Sequence, residues 1–325
     1  MSAEVKRYEV SADEDGMRLD RWFKVHFPQV TFAYLNKLTR TGQVRVGAGR
    51  VKTNSRLAKG QDIRVPPLDF DRRPADVPKE DVAPLTAKER QLFNSMVIHE
   101  DKDLYVLNKP SGFAVQGGTK THLHLDGLLM GLGVELGERP LLVHRLDRDT
   151  SGVIVVAKRR AVASALGKMF ATRVVKKTYW AVVKGIPDPA QGRIDVALIK
   201  ARSEDGDRMR ASKAGEEEDE KEAVTQYALL GKSNGFSWLS LKPQTGRQHQ
   251  LRAHTAHIGT PILGDNKYGG DIDVPDGVAN RLHLHARRIV FPHPREGIVD
   301  VTAILPQHMI DTFEKFGFDA GRFDG

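Results

Sequence analysis

Cysteine is absent from the 325-residue chain. That removes disulfides, thiolate nucleophiles and every sulfur-ligated zinc site, and it fits a reducing, cytoplasmic setting. Long apolar runs are missing too. No uncharged stretch approaches the roughly 20 residues that span a bilayer, and the N-terminal MSAEVKRYEV has no apolar signal core. Membrane insertion and secretion are therefore not expected. What the chain has in excess is positive charge, 50 Lys plus Arg against 42 Asp plus Glu for a formal +8. That balance favours a polyanionic partner such as nucleic acid. The length suits two domains, one small and one large, each able to bury a core.

In GMRLDRWFKVHFP, residues 16–28, the apolar Leu19, Trp22, Phe23 and Phe27 fall at helical spacing and Pro28 closes the run. A second helix is expected from Thr31 to about Arg40. Val44, Val46 and Val51, then Ile63 and Val65, lie in short runs punctuated by glycine and read as a small sheet. Arg18, Arg21, Lys37, Arg40 and Lys52 belong to the basic set that forms a phosphate-facing patch if these faces coincide. Otherwise they are ordinary solvated charge. The helix pair with following strands resembles the RNA-binding module named after ribosomal small-subunit protein S-four, over about residues 16–66.

Between Pro66 and Pro84 the chain is proline-rich and reads as an extended connector. Beyond it come VIHEDKDLYVLNKPSG, a strand pair ending at Asn108 and Lys109, and the glycine-rich loop SGFAVQGG. The run RPLLVHRLDRDTSGVIVVAK holds His144, Arg145, Asp147, Arg148 and Asp149 between two apolar strand candidates. A helix from Arg160 and several further strands complete an α+β domain with a mixed, mostly antiparallel sheet. The acidic stretch 203–222 has little to bury and is expected as a loop. The expected organisation is an RNA-binding module at 1–68, a linker at 69–94, a catalytic domain at 95–310 and a C-terminal tail at 311–325.

Asp147 alone is a weak signal, since most loop aspartates form turns or surface pairs. Arg-Leu-Asp also occurs at 18–20, but only the copy at 145–147 precedes Thr-Ser-Gly and sits between apolar strands. The His-Arg start resembles a kinase catalytic loop, yet the asparagine and the glycine-rich phosphate loop are missing. The histidine pairs His122/His124 and His283/His285 put two imidazoles on one strand face. No acidic ligands accompany them, so they read as strand-surface histidines, with no metal assigned. In PQTGRQHQLRAHTAHIGTPILGD, Thr245 is placed as an N-cap and a helix from about Gly246 to His257. An arginine on that helix suits bidentate grip of a carboxylate, or of a phosphate.

In chain order, LNKPSG, HRLDRDTSG, KKTYWAVVKG, TGRQHQLRAH, PILGDNKYGG and RLHLHARRIVF resemble the RluA-type pseudouridine synthase family, in its branch with an S-four-like N-terminal module. The resemblance covers about residues 95–305. It implies that Asp147 is the catalytic carboxylate, Tyr179 the tyrosine against the target base with a share in proton removal from carbon 5, and Arg252 the arginine paired with that carboxylate. It places Arg145 in the gap left by an extruded base, Arg247 in site architecture or phosphate contact, and Asn108 and Lys109 in a substrate-binding loop. It further implies uridine-to-pseudouridine isomerisation without cofactor or metal, on RNA, most often large-subunit ribosomal RNA. A monomer is the default expectation. One departure is visible: GEEEDEKEAVT interrupts the Gly-Lys-x-Ala-x-Thr turn usual in the family. Two rivals stand beside this reading. One is a non-catalytic RNA-binding ribosome-assembly factor; the other is a glycosidic hydrolase using Asp147 and Asp149.

Overall fold

Alternating apolar positions build the sheet, and the computed structural model describes residues 5–68, 83–117, 123–203, 206–212, 220–270 and 273–323. The chain divides into two compact units, Met1–Asp81 and Val82–Gly325. The first unit contains β1 (Lys6–Glu9), α1 (Leu19–His26), α2 (Phe32–Arg40), β2 (Arg45–Val46), β3 (Gly49–Arg50) and β4 (Asp62–Val65), with sheet order β1-β4-β2-β3. Trp22 and Phe23 from α1 and Leu35 and Leu38 from α2 close over Val44, Ile63 and Val65. Thr31 caps α2 by accepting the Tyr34 amide at 3.2 Å.

The second unit opens with α3 (Ala87–Met96), β5 (Val97–Glu100), β6 (Leu104–Lys109), α4 (Leu125–Leu136), β7 (Leu141–Leu142), β8 (Ser151–Ala157), α5 (Arg160–Ala171) and β9 (Lys176–Lys184). It continues through β10 (Gln191–Asp195), β11 (Leu198–Ser203), β12 (Gly206–Ala211), β13 (Val224–Ser233), β14 (Phe236–Pro243), α6 (Gln250–His257), β15 (Leu284–Pro292), β16 (Ile298–Thr302) and α7 (Gln307–Phe316). The large sheet runs β10-β13-β14-β9-β15-β8-β6-β5, with β16 beside β15 and β7 beside β8. Its ladders are antiparallel except β15 on β8, so the expected mixed, mostly antiparallel sheet is what forms.

β8 is buried on both faces. Ile154 and Val156 meet Leu128 and Leu129 of α4, while Val153 and Val155 meet Val162 and Leu166 of α5. This two-sided burial explains its unbroken apolar run. β11 and β12 form a two-stranded sheet, with Leu198 also bridging to Lys221, and the base of this hairpin lies near α6.

Two boundaries differ from the sequence reading. Residues 311–325 are not a tail up to the last described residue: Phe313 and Phe316 of α7 pack on Trp180, Trp238 and Phe236. Of the connector expected at 69–94, residues 69–82 lie outside the described residues, and its end is α3, begun by a Thr86/Glu89 capping box. Parts of the acidic stretch, 204–205 and 213–219, are also outside them.

Candidate active site

The residues of the HRLD signature differ in environment along a stretch of bends and coil that precedes β8. His144 is half-buried, stacks on Phe170 with ring centres 4.5 Å apart, and accepts the Val155 amide on Nε2 at 2.9 Å. Burial lowers its pKa to about 3, so it stays neutral and can keep accepting. Leu146 plugs the core beside Ile154 and Val156. That leaves Arg145 exposed and the Asp147 carboxylate 28% exposed. His144 and Leu146 thus anchor the segment while Arg145 and Asp147 line the cleft beside them.

Thr-Ser-Gly is explained by what lies beside it. The Ser151 hydroxyl is 2.9 Å from His285 Nδ1. Gly152 has φ +106°, and a Cβ there would lie 2.7 Å from the Ala286 amide nitrogen and nearer still to its carbonyl oxygen. Only glycine permits β8 and β15 to approach this closely. In the neighbouring strand, Lys109 pairs with Gly152, so the NKPSG and HRLD loops occupy the same end of the sheet.

Lys109 departs from its expected role. It is fully buried, and its ammonium donates to the carbonyls of Pro110 and Phe113 at 2.9 Å and of Arg148 at 2.8 Å. With all three donors used, it ties the two loops together and offers nothing to a substrate. Burial lowers its pKa to about 7, against the opposing pull of Asp149 and Asp147. Asn108 likewise turns away, donating to the Ile304 carbonyl at 3.1 Å.

Arg252 requires a second correction. Its guanidinium is buried and makes a two-pronged bond to Asp265, at 2.7 and 2.6 Å, not to Asp147. Burial opposes the charge, but the Asp265 bonds outweigh it and Asp147 adds to them, so the Arg252 pKa is raised. Its helix also starts later than expected. Thr245 is not the cap; it accepts the Val224 amide and donates to Gln250, and α6 begins only after His249, whose φ is +50°. Arg247 therefore lies in the preceding turn, exposed, with Nε on the Glu222 carbonyl at 2.9 Å.

These elements enclose a cleft of ≈ 1190 Å³ lined by Arg145, Asp147, Tyr179, Arg247, His249 and Arg252 among others. Lys176, Lys177, Lys242 and Arg173 add positive charge to its walls. Tyr179 is half-buried against the core below Leu146. Burial first, and the charge of Asp147 second, push its phenol above the ordinary value.

Residues 103–257 match the family model described as RNA pseudouridylate synthase. The ribosomal large subunit pseudouridine synthase C of Haemophilus influenzae is 33% identical over 303 residues, covering 91% of this chain and 90% of its own length. Its namesake from Escherichia coli (strain K12) is 34% identical, with 91% of each chain covered. The chain belongs to the RNA pseudouridylate synthase family. The solved human RNA pseudouridylate synthase domain containing 4 superposes with a TM-score of 0.60 at 29% identity, covering 71% of this chain and 97% of its own.

In this pseudouridylate synthase several residues sit at the site without having been singled out from the sequence. His249, Asp265 and Tyr268 all fall inside the quoted motifs TGRQHQLRAH and PILGDNKYGG, but spacing alone gave no reason to assign them work. Nor are the other histidines on a strand surface. His283 and His285 are fully buried, His283 between Thr312 Oγ1 at 2.8 Å and the Arg281 carbonyl at 2.7 Å. His124 accepts the Gly127 amide as the cap of α4, and His122 lies outside the described residues.

Asp101, Asp103 and His293 cluster closely enough for a cation. Two observations oppose that use. Asp103 is already paired with Arg159 and Arg295, and His293 accepts backbone amides on Nδ1, which leaves the proton of its neutral ring on Nε2, facing the carboxylates.

In the first unit, Arg21, Lys37, Arg40 and Lys52 are exposed, with Lys37 and Arg40 one turn apart on α2. Arg18 is exposed too, but it is engaged by Asp20 at 2.6 Å.

Proposed function

We propose that this chain converts specific uridines of large-subunit ribosomal RNA to pseudouridine, with Asp147 as the carboxylate that acts at the ribose. The observation that carries the assignment is the state of that carboxylate. Asp147 stands in the wall of a basic cleft, accepts no hydrogen bond from any described residue, and has His249 Nε2 3.9 Å from Oδ1. A carboxylate not engaged by donors has its oxygens open to an incoming group.

Breaking the N1–C1′ bond of uridine builds positive charge on the ribose, which a nearby carboxylate stabilises or captures covalently. The detached uracil turns and rejoins through carbon 5; carbon 5 loses its proton and N1 ends protonated. Tyr179 packs against the uracil as a neutral phenol. Its raised pKa makes a resting phenolate base unfavourable. Arg252, clamped by Asp265, supplies fixed positive charge beside Asp147, and Arg247 contacts phosphate. Arg145, exposed at the rim, fills the gap left by the extruded nucleotide. Arg18, Arg21, Lys37, Arg40 and Lys52 supply phosphate contacts from the first unit.

The large-subunit target rests on the names of the relatives and on the net charge of +8. We take the enzyme to work as a cytoplasmic monomer on naked RNA or an assembling subunit. Pseudouridine mapping by carbodiimide labelling and primer extension, in cells lacking the gene, tests all of this together. Complementation by the wild type and not by Asp147→Asn supports the reading and identifies the uridine. Marks that persist in the deletion, or return with Asp147→Asn, favour a non-catalytic assembly factor.

A further inference from the structure

We infer that His249 is a positioning residue for Asp147, and that Tyr268 and the β11–β12 hairpin set its orientation; this rests on the catalytic reading of Asp147 given above. The observation is a row of polar groups that leads to Asp147. The backbone N–H of Met209, in β12, donates to the Tyr268 hydroxyl at 2.8 Å. That oxygen is 3.0 Å from Nδ1 of His249, and Nε2 of the same ring is 3.9 Å from Oδ1 of Asp147.

The chemistry of the three groups fixes the direction of the protons. A phenol has one hydrogen to give, and its oxygen already accepts from Met209. Giving that hydrogen to Nδ1 places the imidazole proton on Nε2, aimed at the carboxylate. The other tautomer would set the Nε2 lone pair against a carboxylate oxygen, which repels. Burial keeps the ring from charging, with the Asp147 charge opposing, so a single N–H faces Asp147.

Backbone geometry points the same way. His249 has φ +50° and ψ +21°, a left-handed conformation that strains a β-carbon-bearing residue. The chain holds an imidazole at a backbone position that suits glycine. Tyr268 is held just as firmly. Its amide donates to Asp265 at 3.0 Å, and the Arg252 guanidinium lies 5.1 Å over its ring. The Asp265 turn thereby orients Arg252 and Tyr268 together, and through Tyr268 the imidazole.

At 3.9 Å the last link is longer than a hydrogen bond. Such contacts tighten when substrate enters and water leaves. In that closed state the Nε2–H fixes one carboxylate oxygen and leaves the other for the ribose.

The test uses the full chain and ribosomal RNA from cells lacking the gene, tritiated at carbon 5 of uridine, in single-turnover tritium release. His249→Gly deletes the ring at a backbone position that suits glycine, and His249→Gln restores an N–H near the Nε2 position. Expected is a maximal rate about 100-fold lower for His249→Gly, about 10-fold of which returns in His249→Gln, and about 10-fold lower for Tyr268→Phe. The half-saturating RNA concentration should be unchanged in all three. A rise in that concentration at unaltered maximal rate, a His249→Gln no faster than His249→Gly, or a Tyr268→Phe at the wild-type rate would each overturn the inference. Asp147→Asn, measured alongside, separates the two claims. If it keeps the wild-type rate, the reading of Asp147 fails; if it is inactive while the His249 variants are unimpaired, only the role of His249 fails.

Discussion

Replacing Lys109 by methionine keeps the length and apolar stem of the side chain and removes three buried donors. The carbonyls of Pro110, Phe113 and Arg148 are left with nothing from that side chain. Arg148 keeps the Gly112 amide at 3.0 Å and Pro110 the Phe113 amide at 3.4 Å, so the loss is that of the three bonds themselves. A hydrogen bond from a charged donor is worth roughly 1.5–3 kcal/mol, which makes the gross loss about 4.5–9 kcal/mol. Sparing the chain the burial of an ammonium returns several kcal/mol, and the net destabilisation expected is about 2–4 kcal/mol. Urea unfolding of the full chain, followed by circular dichroism, should show the midpoint of the Val82–Gly325 unit falling by about 1 M. The pH dependence has a definite sign. With a folded pKa of about 7 against an ordinary value near 10.4, folded wild type holds fewer protons than unfolded chain between those limits. Wild-type stability therefore gains from this group as pH rises from about 7 to 10, and the gap to Lys109→Met widens over that window. An unaltered midpoint together with weaker RNA binding would refute the clamp and return Lys109 to the substrate.

Asp265→Asn should cost about 3–5 kcal/mol by leaving the buried Arg252 charge uncompensated, visible as a lowered melting temperature, whereas Asp147→Asn should melt like the wild type. Gly152→Ala is expected to exceed both in its effect on folded yield, because the added methyl meets the Ala286 backbone at a positive φ. Acid should unfold the protein early. His144 and His285 are held at about 3 and His283 at about 4, below an ordinary value near 6.5, so stability is complete above that value and falls as pH drops towards 4. Together the three give a slope approaching about 4 kcal/mol per pH unit, to be read from urea midpoints at pH 7 and 5. Because the Tyr179 pKa is raised, the single-turnover rate should show no limb from its ionisation between about pH 7 and 10.

Much of this was legible in the sequence where one short segment carried the whole signal. The helix pair of the first unit and the two-sided strand after the HRLD loop are cases of that kind, whereas Tyr179 came to the cleft of Asp147 only through the family resemblance. What stayed hidden depended on partners distant along the chain. Arg252 looked like the partner of Asp147 because nothing local distinguishes Asp147 from Asp265 as its acceptor. Lys109 looked like a substrate contact because its acceptors include Arg148, 39 positions away. α4 was missed for another reason. Glycines at 127, 131 and 133 speak against a helix, yet a Cβ on Gly131 would press on Leu85 and one on Gly133 on Arg139, so they serve packing at the expense of propensity. The start of α6 was misplaced because Thr245 has the chemistry of a cap but is engaged by Val224 and Gln250.

The hairpin of β11 and β12 contributes to the polar line a main-chain N–H, that of Met209. Every residue except proline carries that donor. Side chains elsewhere in β12 can therefore change while the line towards Asp147 persists.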